Sequence, residues 1–385
     1  MLYLLKNADV FAPEHLGIKD ILICGRKIVS VRSEITSDLP EVQTRDLKGA
    51  MVIPGLIDIH VHVTGGGGEA GFSSRVPECR ISELVQSGVT TVLGLLGTDT
   101  VTRSLENLLA KVRSLEEEGI TAYMLTGGYC YPSPTLTGNI MRDITLIDKV
   151  IGTKIALSDH RSSSVSKEEL SRICSDTRVG GLISGKPGLV IAHMGDSPRR
   201  LDPIYEMLSY SDVPVGNILP THCSRNMSLF EAACEYAEKG GNFDLTAASA
   251  EETQEDHFAA FYVHKALEKG VDISRITISS DSYGSQPVFD SSRNCIGITY
   301  AKGLQLLEEL KRMIRFYRIP VDQALRTITG NAAMRLGRAG IKGVIAPGAD
   351  ADLVVLNEIF EITDVYAGGR EAVREKKVIL KGYYD

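Results

Sequence analysis

The segment Asp58-Ile59-His60-Val61-His62 sets two imidazoles two residues apart in an apolar, β-branched run. Side chains at i and i+2 of a strand share a face, so both rings point into one space, as a metal ion requires of a rigid backbone. Core hydrogen bonds can also hold such a pair, and residues elsewhere decide between the two. His193 closes the run from Gly188, His222 the run from Asn217 and Asp281 the run from Ile276. Four histidines and one aspartate, all at the ends of β-type runs, are good ligands for a divalent ion, and zinc suits such a mixed set. Lys154, inside Gly152-Thr-Lys154-Ile-Ala-Leu157, is a cation where a strand offers little water. Unless it snorkels from the strand end, its burial costs several kcal/mol, and more beside divalent ions.

The elements that must position these residues are legible as an alternation. Short β-branched runs are expected at 56–62, 89–95, 121–125, 153–157, 189–193, 215–221, 243–247 and 276–281, with helical patterns such as 99–118 and 166–184 between them. This α/β pattern of eight strands, each followed by a helix, closes most naturally into a (β/α)8 TIM barrel, whose active sites lie at the strands' C-terminal ends. Residues 1–54 and 345–385 carry short alternating strands, too few in either piece for a separate core. They are expected to form one small β-sandwich domain beside a catalytic barrel spanning 55–344.

Composition narrows the function classes. The 385 residues carry 42 Lys+Arg against 49 Asp+Glu with no basic run, which argues against a nucleic-acid partner. The start Met-Leu-Tyr-Leu-Leu-Lys lacks a long apolar region, and no segment approaches a membrane span, so a cytoplasmic protein with no membrane partner is expected. Seven scattered cysteines without a C-x-x-C read as reduced thiols. Gly66 to Gly71 fits G-x-G-x-x-G, but after a strand bearing two metal-type histidines it does not imply a nucleotide. His15, His160, His257 and His264 fall outside the ligand pattern.

The ligand pattern resembles the amidohydrolase superfamily, in which two strand-1 histidines, a strand-4 lysine, strand-5 and strand-6 histidines and a strand-8 aspartate hold two metals. Thr329-Gly-Asn331-Ala-Ala333 and the stretch from Gly343 to Val354 extend the resemblance along the chain. It implies two divalent ions, expected to be zinc, held by His60, His62, Lys154, His193, His222 and Asp281. Lys154 would be carboxylated by CO2 to a carbamate that bridges the ions. Within the superfamily the chain resembles the isoaspartyl (β-aspartyl) dipeptidase family, through the loop Thr64-Gly65-Gly66-Gly67-Gly68-Glu69, Gly127-Gly-Tyr129, Asp159-His-Arg161, His222-Cys-Ser-Arg225 and Asp281-Ser-Tyr-Gly-Ser285.

That resemblance implies substrate contacts from Gly67, Glu69, Thr98, Tyr129, Arg161, Arg225 and Ser285. It also implies attack by a metal-bridging hydroxide, with Asp281 as base and then acid and Tyr129 polarising the carbonyl. The substrate would be a small dipeptide and the protein a homo-oligomer, with an octamer as the candidate size. The charges agree with this: a side-chain-linked dipeptide presents one ammonium and two carboxylates, against one extra carboxylate and two guanidinium groups. Two alternatives stay open. One is another amidohydrolase such as a dihydroorotase, hydantoinase or N-acyl amino acid deacylase; the other is a metal-free assembly protein on the same fold.

Overall fold

The computed structural model describes residues 1–36, 40–249, 252–289, 295–301 and 305–385. Among the described residues eight parallel strands occupy the middle of the chain: β1 (Leu56–Val61), β2 (Val89–Gly94), β3 (Thr121–Gly127), β4 (Val150–Leu157), β5 (Leu189–Met194), β6 (Ile218–Thr221), β7 (Phe243–Thr246) and β8 (Ile276–Ser279). Strands β1 to β6 pair in chain order in one sheet, and β7 pairs with β8 in another. Backbone bonds join the two sheets at both seams. The amide of Cys223, past β6, donates to the Asp244 carbonyl of β7 at 3.1 Å, and the amide of His62, past β1, donates to the Ser282 carbonyl at 2.9 Å. The result is a curled parallel sheet whose strands lie where the alternation of the sequence puts them.

The edges of the elements follow local chemistry. The helix after β2 begins at Leu105 rather than near Asp99, because Ser104 caps it by accepting the Asn107 amide. Asp99 instead accepts the amides of Val101 and Thr102 at 3.0 and 2.8 Å and turns the loop. A capping box of Ser166 and Glu169 opens Lys167–Ser184, and left-handed Gly185 ends it. Strand β6 starts at Ile218 because Val215–Asn217 winds into a 3₁₀ turn. A hairpin of Ser285–Phe289 and Cys295–Tyr300 follows β8, unannounced by the alternation.

The N- and C-terminal segments, expected to meet in a small sandwich, share one mixed nine-stranded sheet. Met51–Pro54 runs antiparallel to Leu353–Leu356 and makes the join. Leu5, Val10, Ile21, Ile23, Val52 and Leu353 belong to a core of the sheet's own. Between the sheets, buried Lys342 donates to Thr121 Oγ1 at the start of β3 at 2.6 Å and pairs with Asp350 at 3.0 Å and with Asp352. Among the described residues no helix is long and apolar enough to cross a membrane.

Candidate active site

The C-terminal ends of the parallel strands bring the chemical residues together. His60 lies in β1, Lys154 in β4 and His193 in β5, while His62, His222 and Asp281 stand just past β1, β6 and β8. Ring centroids of His60 lie 5.6 Å from His62 and 4.9 Å from His222, which lies 4.5 Å from His193. Lys154 Nζ is 3.2 Å from His60 Nε2. His222 and Asp281 take left-handed backbone angles, φ 62° and 52°. For residues with a Cβ that costs on the order of 1 kcal/mol or more, a strain that tips both side chains in toward the group.

His60, His62 and Asp281 form the tightest cluster, with ligand atoms all within 4.8 Å of one another. Asp281 Oδ1 is 3.4 and 3.2 Å from Nε2 of His60 and His62, yet it is buried and accepts no hydrogen bond from any described residue. Room is kept there by two glycines. A Cβ on Gly97 would lie 2.9 Å from His62 Cε1, and one on Gly284 would lie 2.8 Å from Asp281 Oδ1. An orphaned carboxylate oxygen facing two imidazole nitrogens in a space cleared of side chains fits a divalent cation. Burial holds the imidazoles of His60, His193 and His222 well below their ordinary pKa, helped by the nearby Lys154 and, at His193 and His222, by Arg225, and at His193 against the pull of Asp159, so they are neutral and able to donate lone pairs. Burial likewise pushes Lys154 down to about 7, against the pull of Asp281 and Asp244.

Beneath these groups lies a polar floor that the sequence reading did not single out. Asp58, two residues before His60, accepts the amide of Ser280 at 3.1 Å and its hydroxyl, and burial pushes its carboxyl up to about 7. Asp244 accepts Thr221, Thr277 and Ser279 hydroxyls at 2.7, 2.7 and 2.6 Å. Thr221 Oγ1 also lies 3.4 Å from His60 Nδ1, so the two carboxylates lock the strand ends that carry the ligand candidates. Asp159 was missed as well: it takes His193 Nε2 at 2.9 Å. The signal for Asp58 and Asp159 was their place, two residues from a candidate His or Arg.

The rim carries the remaining candidates. Glu69 Oε1 accepts hydroxyls from Thr98 at 3.2 Å and Ser285 at 3.1 Å, and lies 3.6 Å from Arg161 Nη1. The glycine run lets the loop fold this tightly: at Gly65 (φ +76°) a Cβ would meet the Val76 carbonyl at 2.0 Å. Gly67, also left-handed, bridges to Arg75 across the same loop. Buried Tyr129 hydrogen-bonds His193 Nδ1 at 2.5 Å, and the Arg161 guanidinium stands 5.4 Å over its ring. Burial keeps that phenol raised and protonated, a donor. Arg225 stands apart, 3.7 Å from exposed Asp196, though its charge reaches His193 and His222. His15, His257 and His264 pair with Asp9, Glu252 and Glu268 away from the site.

The sequence model of the Amidohydrolase family matches residues 51–184 and 227–383. The structure is similar to the β-aspartyl dipeptidase of Fervidobacterium islandicum AW-1 solved with β-Asp-Leu dipeptide, at 42% identity, TM-score 0.92 and coverage of 98% of this chain and 97% of that one. A second structure of β-aspartyl dipeptidase from that organism gives 41% identity, TM-score 0.90 and 98% coverage of both. Among curated proteins, an imidazolonepropionase of Acinetobacter baumannii is 24% identical over 350 residues, 81% of this chain and 80% of its own length. A family model spanning most of the chain, a near-complete relative, and an imidazole and carboxylate cluster at the ends of a curled parallel sheet lead to one conclusion: the chain belongs to the amidohydrolase family.

Proposed function

We propose that this hydrolase is a metal-dependent isoaspartyl dipeptidase, cleaving dipeptides joined through the aspartyl side chain. The observation that carries the reading is Glu69, fixed by Thr98 and Ser285 beside Arg161 at the rim of the imidazole cluster. A carboxylate so placed meets an ammonium, and Arg161 and Arg225 meet the two carboxylates that a β-linked dipeptide leaves free. The likeness to the Fervidobacterium enzyme supports the same substrate class.

His60, His62, Lys154 as its carbamate, His193, His222 and Asp281 would hold two divalent ions, with zinc the favoured metal. Bound there, such ions supply a Lewis acid and a water of lowered pKa. Lys154 takes up CO2 through its neutral amine, releasing one proton to water, and an amine lowered to about 7 has a substantial neutral fraction at neutral pH where an ordinary lysine has almost none. Asp281 takes the proton of the attacking water and returns it to the leaving amine. Tyr129 donates to the carbonyl oxygen as charge develops on it, and Gly67 offers backbone to the substrate. In this reading the curled sheet is a (β/α)8 barrel of residues 55–344 with the small domain of 1–54 and 345–385 beside it. The protein works in the cytoplasm as a homo-oligomer on small dipeptides, with neither nucleic acid nor membrane as partner.

The test is turnover of β-Asp-Leu, α-Asp-Leu, hydantoin and dihydroorotate side by side, with metal content per chain. An α-linked dipeptide leaves the charges of Glu69, Arg161 and Arg225 without their matched partners, and a site built to bind a substrate's polar groups can reject analogues lacking them by ~10⁴-fold. A strong β preference that Glu69→Ala removes without loss of metal is the expected result. Comparable rates on both linkages, or faster turnover of a cyclic amide, would overturn the assignment.

A further inference from the structure

Asp159 stands where two functions of the site meet. Its Oδ1 accepts the Arg161 amide and Nε at 2.8 and 2.9 Å, and its Oδ2 accepts Arg161 Nη2 and His193 Nε2 at 2.8 and 2.9 Å. The Asp159 and His193 side chains are each 3% exposed. Gly195 packs against the Asp159 main chain, where a Cβ would sit 2.4 Å from Asp159 Cα and 2.5 Å from its Cβ. Two parallel bonds from the Arg161 fork, Nε to Oδ1 and Nη2 to Oδ2, pair the Asp159 side chain with a permanent cation, which is the arrangement of an ionised carboxylate. An ionised carboxylate only accepts, so the imidazole proton lies on Nε2 and the lone pair of His193 on Nδ1, the atom facing Tyr129. The same carboxylate occupies the Nε/Nη2 edge of the Arg161 fork and leaves Nη1 turned toward Glu69.

We propose that Asp159 is a positioning residue linking the two halves of the site: one carboxylate fixes the tautomer of His193 for metal binding and aims the free edge of Arg161 at a substrate carboxylate. The proposal rests on the dipeptidase reading and adds a relation that neither half requires alone. Because one group orients both, holding the ion and holding the carboxylate are linked, and linkage between two binding events is reciprocal.

The experiment uses the full-length metal-loaded protein with Asp159→Asn and Arg161→Lys. Zinc affinity is measured by chelator competition without substrate, kcat and KM on β-Asp-Leu, and melting on the metal-free form. Asp159→Asn is expected to weaken one of the two ions by ~10- to 100-fold, as loss of a partner behind a ligand does. It should also raise KM, with metal-free melting retained. Arg161→Lys keeps the charge but loses the fork, and is expected to weaken the same ion several-fold although Arg161 is no ligand. Unchanged zinc affinity in Arg161→Lys, or an Asp159→Asn that loses zinc affinity at unchanged KM, would overturn the proposal. If Asp159→Asn does not fold, Arg161→Lys decides alone. A parent protein inactive on β-Asp-Leu would sink the dipeptidase reading, whereas the zinc affinities, read without substrate, test the linkage separately.

Discussion

Lys154 and Lys342 are both taken out of water by the fold, and their company is opposite. Lys342, near the start of β3, is met by Asp350, Asp352 and the Thr121 hydroxyl, and its pKa rises although burial pushes it down. Lys154, toward the far end of the parallel sheet, has an imidazole nitrogen 3.2 Å from Nζ, and burial takes it down to about 7. One charge is satisfied and ties β3 to the segment entering the mixed sheet. The other is left unmatched beside an orphaned carboxylate. A buried ionisable group that a fold declines to pair is a mark of chemistry, and the two ends of the strands divide between stability and reaction accordingly.

The contrast is expected to be widest on turnover. Lys154→Ala should lose metal and lower β-Asp-Leu hydrolysis by more than the ~100-fold that follows loss of a group behind a ligand. Short-chain carboxylic acids should restore part of both by filling the vacated place. Metal analysis with and without acetate checks it, and full metal content with normal turnover in the variant would make Lys154 as structural as Lys342.

Lys342→Met should do the reverse, keeping metal and kcat while losing ~3–5 kcal/mol of stability, since two carboxylates stay buried without their cation. Urea unfolding measures this. A loss under ~1 kcal/mol would rank the cluster with exposed ion pairs and end the contrast from the other side.

The smallest effect is in pH. The raised pKa of Lys342 contributes stability that is present below its unfolded value of 10.5 and lost as pH climbs through the folded value. Burial raises the Asp350 pKa, but Lys342 and Lys27 outweigh it, so its lowered pKa contributes stability above 3.8 that is lost as pH falls through the folded value. The stability gap between parent and Lys342→Met should therefore be a plateau between these limits and shrink below pH 3.8 and above 10.5. A gap that does not change with pH would assign the cost to packing.

What the sequence made legible was what periodicity fixes. Parallel strands buried on both faces read as apolar runs, so the ends of those runs, and with them His60, His62, His193, His222 and Asp281, could be placed on one side of a sheet. Lys154 stood out because a cation breaks such a run. Asp159, Asp58 and Asp244 did not stand out, since an aspartate just past a strand, as Asp159 is, also suits a turn, and one inside a strand, as Asp58 and Asp244 are, gives no sign of its partner; only the fold shows that their partners are His193, Ser280 and Thr221. The hairpin after β8 was hidden for a different reason: short antiparallel strands inserted into a βα alternation have no period of their own long enough to register.

The mixed sheet has a consequence in time. Arg45 reaches Glu371 across 326 residues, and Met51–Pro54, paired on one side with Asp9 and Val10 of the first strand, finds its second neighbour in Leu353–Leu356. At a synthesis rate of ~5–20 residues per second, the first strands wait on the order of 15–65 s for the last. Throughout that interval the nascent chain carries an open, largely apolar strand edge, the kind that recruits other chains. The parallel strands, which pair in chain order, can form while the ribosome still holds the rest. A chain stopped short of Leu353 would thus keep every proposed ligand and still be a template for aggregation, which makes the tail of this protein a guard on its own manufacture.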